Sequence, residues 1–196
     1  MQVDIRVLRE KEFVNCDADA PVNWRNIKQQ FPRPNALYTH WLMAPGSLTK
    51  KLQSISDGTF FVRVLSEGWA YQSVSPASGL TQCGSGKLLM WSRRVLLGGH
   101  GENWVAAHSL IPITTLRGAN RQLIHLGNKP LGGFLFKQRG LMRGDTQICQ
   151  CDDYWGRRSL FFLDKRSLLV AEFFLPDLIG RIQPTSTNGN GHVQQN

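Results

Sequence analysis

The sequence predicts an α+β fold, a single domain in which one antiparallel sheet carries short helices gathered on one side. Three observations carry that reading. Runs rich in β-branched and aromatic residues dominate the chain from residue 59 onward. Short turns, one rich in glycine and one of charged residues, join successive runs, which favours antiparallel neighbours. One stretch punctuated by Gly, Asn and Pro interrupts the strands instead of alternating with them, the pattern of segregated helices and not of βαβ units. A chain of 196 residues suits one domain. It can bury roughly 70% of its unfolded surface without disulfide or metal staples.

Taken in order, the first 35 residues are expected to be an extension of the domain. They hold a short strand over 2–8, an acidic turn over 16–19, and Pro32 and Pro34 as breakers. Trp41, Leu42 and Met43 then form a small apolar cluster before Pro45 and Gly46 interrupt the chain. Ser47 stands where an N-cap belongs, so the spacing predicts a short helix over 48–56. A strand is expected over 59–73, with Glu67-Gly68 marking a turn or bulge within it. Strands over 87–97 and 104–112 are joined by GGHGEN, a hairpin-like connection. Residues 116–136 read as one or two short helices with a tight turn over 127–130. Strands over 145–151, 154–163 and 167–175 follow, the last two separated by Asp164-Lys165-Arg166. The domain is expected to end near residue 182. The remaining QPTSTNGNGHVQQN lacks charged side chains and is expected to be a disordered tail over 183–196.

The net charge is +9, with 23 Lys+Arg against 14 Asp+Glu. Such a balance raises nucleic acid as a partner. The distribution argues otherwise, because the arginines are scattered singly or in pairs, with no run of five like charges. Arginine's planar fork suits a carboxylate as well as a phosphate. No run reaches the ~18 apolar residues of a membrane span. The N-terminus also lacks the apolar core of a secretory signal, so a cytoplasmic location is expected.

Two charges stand where charges are costly. In SLLVAEFFLP both alternating faces are apolar, yet Glu172 shares one of them with Leu168, Val170 and Phe174. A carboxylate there needs a partner or a proton. It is either a structural partner of an arginine or part of a site. Arg93 repeats the anomaly among Leu89, Trp91, Val95 and Leu97, and needs an anion, either Glu172 or an outside ligand. Arg94, on the other face, reads as solvated. Arg157 and Arg158 fall on opposite faces of their strand, each read by itself as a surface residue.

Several motifs fail. Cys149 and Cys151 lack a second pair at zinc spacing, Cys16 and Cys83 are isolated, and free thiols are expected. The runs GSG at 84–86 and GGHG at 98–101 complete neither a dinucleotide fingerprint nor a phosphate loop. The five histidines show no paired metal spacing, and no nucleophile-elbow sequence is present.

Between residues 41 and 176 the sequence resembles the chorismate pyruvate-lyases of ubiquinone biosynthesis. The pieces that carry the likeness are SLTKKL (47–52), SEGW (66–69), WSRRVLL (91–97), IPITTL (111–116), LGNKPLGGFLF (126–136), WGRRS (155–159) and LLVAEFFLP (168–176). The resemblance implies a chorismate lyase-like sheet whose helices cover an internal ligand pocket. It implies elimination of pyruvate from chorismate to give 4-hydroxybenzoate by a monomer, with no cofactor, no metal and no nucleic-acid partner. It places the ligand contacts on Leu48, Arg93, Leu131 and Glu172, with Arg93 and Glu172 as the catalytic pair. Leu48 stands where a methionine is familiar, and His108 where an arginine is familiar. A non-enzymatic, effector-sensing domain of the same fold is the alternative, although no helix-turn-helix segment accompanies it.

Overall fold

The computed structural model describes residues 18, 23–73, 78–80, 87–151 and 153–182. The strand expected over 2–8, most of the acidic turn, Cys16, Cys83, the GSG run and the tail lie outside the described residues. A seven-stranded antiparallel sheet organises the rest, in the spatial order β1-β5-β6-β7-β4-β3-β2. Its strands are β1 (Arg25–Asn26), β2 (Phe61–Ser73), β3 (Lys87–Gly99), β4 (Glu102–Pro112), β5 (Met142–Cys151), β6 (Tyr154–Leu163) and β7 (Arg166–Phe174). The helices are short: α1 (Ala36–Leu42), α2 (Leu48–Ser54), α3 (Leu131–Leu135) and α4 (Pro176–Ile182), with a 3-10 segment over Gly118–His125. The expected α+β class and antiparallel sheet are therefore present.

Local chemistry sets the boundaries. The Asn35 side chain accepts a hydrogen bond from the Tyr38 N–H at 2.9 Å and starts α1, while Ser47 Oγ caps α2 through the Lys50 N–H at 3.4 Å. The β3–β4 hairpin turns at His100 and Gly101, both at positive φ (54° and 81°), between the paired residues Gly99 and Glu102. That is the left-handed geometry of a two-residue hairpin loop. Asp164 and Lys165 do the same between β6 and β7, at φ 47° and 64°. The register irregularity in β2 falls between Val64 and Ser66, whereas Glu67 and Gly68 pair in register with Arg93 and Ser92. The bulge thus lies two residues ahead of the expected Glu67-Gly68 position, because a glycine in a ladder need not break it. Helix α1, read in sequence only as an apolar cluster, is too short to show periodicity. Residues 25–26, within the stretch read as an extension, pair with Gln147 and Ile148 at the sheet edge.

Strand alternation sorts the core into two faces. One face buries Met90, Leu96, Ala106, Leu110, Leu169, Ala171 and Phe173. The other carries two clusters: one around Trp41, Leu52, Trp104 and Phe174 under α1, α2 and α4, the second around Ile111, Leu123, Leu135 and Leu168 under the 3-10 segment and α3. Both faces of the central strands are covered, which is why their sequences read as continuous apolar runs.

Candidate active site

At the seam between those two clusters the helices do not meet the sheet completely. A cleft remains, floored by β3, β4, β7 and β6 and roofed by the N-terminal ends of α2 and α3. Small side chains make the floor low: Ala107 and Ser109 occupy the two positions of β4 that face it. The roof closes tightly at Gly132, where a Cβ would stand 2.9 Å from Thr49 Oγ1. A side chain at this position would force Thr49 to shift.

Leu48, Arg93, Leu131 and Glu172 all line this one cleft. Leu48 and Leu131 are the first residues of α2 and α3, so they enter from the roof. Arg93 and Glu172 rise from the floor, on β3 and β7 either side of β4.

The two floor charges do not pair with each other. Arg93, only 1% exposed, donates from Nε to Glu67 Oε2 at 3.1 Å, its neighbour in the β2–β3 register. Its Nη2 donates to the carbonyl oxygens of Gly127 at 2.5 Å and Lys129 at 3.2 Å. Arg93 therefore holds the loop that delivers Leu131. Burial pushes its guanidinium down from the usual range, and Glu67 opposes that shift. Its Nη1 has no protein acceptor among the described residues, and the residue lines the cleft.

Glu172 pairs with Arg157, its cross-strand neighbour on β6, through Nε and Oε2 at 2.6 Å. Arg157 Nη1 also donates to the carbonyl oxygens of Trp41, Leu42 and Ala44 at 3.0–3.2 Å. Those are carbonyls at the C-terminal end of α1, where a helix lacks internal donors and favours a cation. One arginine thus fixes both the carboxylate and the helix over it.

The reading of Arg157 and Arg158 as surface residues is corrected: both are 2% exposed. They do lie on opposite faces. Arg158 donates to Gln147 Oε1 and to the Ala18 carbonyl, with the Trp24 ring beneath it. Arg94 is half-buried on that same face.

His108 also faces away from the cleft. Its Nδ1 accepts from the Ala18 N–H at 3.0 Å, and its Nε2 lies 2.9 Å from Ser92 Oγ. The position where an arginine is familiar thus holds Ala18.

Sequence reasoning missed Arg143, a further cleft residue on β5. The expected strand began at residue 145, beyond it. A register shift between Arg143 and Thr146 then places both on the cleft face, opposite Phe161 and Ser159. Arg157 could have been found from its parity with Ser159 and Phe161.

The chain is similar to known proteins over most of its length. A family model described as chorismate lyase matches residues 20–183. A protein of Pseudomonas syringae pv. syringae named "Probable chorismate pyruvate-lyase" is 35% identical over 170 residues, covering 79% of this chain and 88% of its own. A protein of the same name from Marinobacter nauticus is 39% identical over 145 residues, covering 71% and 76%. The likeness to solved structures is much weaker. A GntR-family transcriptional regulator from Bacillus cereus superposes with a TM-score of 0.44 at 10% identity, covering 61% of this chain and 94% of that one.

Proposed function

The chain belongs to the chorismate lyase family, and from that premise we propose that it eliminates pyruvate from chorismate to give 4-hydroxybenzoate, the first step towards ubiquinone. The observation that carries this reading is the meeting of Arg93, Glu172, Leu48 and Leu131 in one cleft. Chorismate presents a ring carboxylate, a flat unsaturated ring, and at the far side a hydroxyl beside the enolpyruvyl ether. Arg93 takes the ring carboxylate with its unused Nη1. Leu48 and Leu131 cover the ring from above. Glu172, held by Arg157, accepts a hydrogen bond from the ring hydroxyl.

Elimination breaks the ether C–O bond, and the electron pair leaves with the enolpyruvyl oxygen. The hydrogen on the hydroxyl-bearing ring carbon is lost as a proton. The departing enol takes up one proton and becomes pyruvate, while the ring becomes aromatic. Aromatisation supplies the driving force, so the protein has mainly to orient the substrate and stabilise the charge that moves onto the leaving group. No step calls for a metal or an organic cofactor.

Incubating purified protein with chorismate tests the proposal. Pyruvate and 4-hydroxybenzoate are expected in equal amounts. Release of neither overturns it.

A further inference from the structure

The cleft holds more positive charge than its own carboxylates offset. Arg93 is paired with Glu67 and Arg157 with Glu172. Arg143 has no carboxylate partner among the described residues. Its Nε donates to Ser159 Oγ at 3.0 Å, and its guanidinium lies 5.6 Å from the centre of the Phe161 ring. Both Nη groups are without a protein acceptor among the described residues. Burial and the nearby Arg157 cation disfavour its charge, and Glu172 offsets this only in part. An arginine so placed is short of one anion.

Its place in the sheet says where that anion belongs. Arg93, Ser109, Val170 and Ser159 form one cross-strand row on the cleft face. Arg93 stands at one end of the row, and Arg143 reaches back to Ser159 at the other. Glu172 and Arg157 occupy the neighbouring row between them. The strands β3 and β5 are four spacings apart, about 19 Å between backbones. Arg143 leans inward across that gap to Ser159, and both arginines line the cleft between the two strands.

We propose that Arg143 binds the second carboxylate of the substrate, the one that departs in the three-carbon fragment, on the side of Glu172 away from Arg93. This rests on the proposed function and deepens it. The product keeps only the carboxylate at Arg93. Arg143 therefore distinguishes substrate from product, and stabilises the leaving enolpyruvate as its bond to the ring breaks.

The test compares one ligand that carries the second carboxylate with one that lacks it. Arg143→Gln is expected to lower kcat/KM for chorismate by about ten- to a hundredfold, the effect of one charge-assisted pair. The Kd for 4-hydroxybenzoate, from quenching of tryptophan fluorescence, stays within about twofold. Arg143→Lys, which keeps the charge without the fork, recovers part of the loss and carries the test if the glutamine variant does not fold. Equal weakening of both ligands, or an unchanged kcat/KM, overturns the assignment while leaving the lyase reading intact. Wild-type protein that releases no pyruvate overturns both.

Discussion

Arg157 and Glu172 face each other across β6 and β7 with Nε and Oε2 2.6 Å apart, and the same guanidinium closes the carbonyl end of α1. The carboxylate in the cleft is therefore fixed by a residue whose other bonds are structural. Arg157→Ala leaves Glu172 without its cation and removes a donor from the carbonyls of Trp41, Leu42 and Ala44. A loss of about 3 kcal/mol in unfolding free energy is expected from chemical denaturation. A loss below about 1 kcal/mol would mean that water replaces the guanidinium freely.

Ala107 keeps the floor of the cleft low while packing under Val95 and beside Glu172. Ala107→Leu should fill that space with apolar atoms. The expected outcome is a folded protein, with its melting temperature within a few degrees, that no longer binds 4-hydroxybenzoate detectably by calorimetry. Retained affinity would place the ligand elsewhere.

The roof depends on a close approach at Gly132. A valine there must push against Thr49 and Ser47, whose side-chain oxygens lie 2.9 and 3.4 Å from the position of a Cβ. Gly132→Val should part α3 from α2 and displace Leu131 from above the ring. A rise of about tenfold or more in KM for chorismate is expected, with a smaller change in kcat, because a uniformly weakened contact acts on binding. An unchanged KM would show that the roof yields without cost.

Cys149 and Cys151 are reduced and buried, their sulfurs 3.6 Å apart on one face of β5. The hydrogen bond with Cys151, followed by burial, pushes the Cys149 thiol well above its usual range. The thiol is then neutral at pH 8 and a poor nucleophile. In native protein, iodoacetamide should leave both residues unmodified by mass spectrometry over a period in which denatured protein reacts fully. Rapid native labelling of either would contradict this burial.

Much of the sheet was legible from β-branched runs and turn residues, because strand period and hairpin chemistry are local. The strand over 154–163 was placed at its observed limits. Arg93 and Glu172 stood out for a similar reason: a charge on an apolar face is visible one strand at a time. Their partners were not. Glu67 reaches Arg93, and Arg157 reaches Glu172, through strand register, a relation between distant segments. Arg143 was hidden by a bulge that shifts its parity, and Gly132 by a contact between two helices far apart in sequence. The meeting of four expected residues in one cleft is a property of the sheet order, which composition and periodicity do not encode.

The proposed elimination depends on the contact between Arg93 and the substrate. The most direct measurement is kcat/KM for pyruvate release from chorismate by Arg93→Ala, compared with wild type in protein shown to be folded by circular dichroism. A fall of about a hundredfold or more is expected, the effect of losing a buried charge-assisted contact to the substrate. Activity within about twofold of wild type would contradict it.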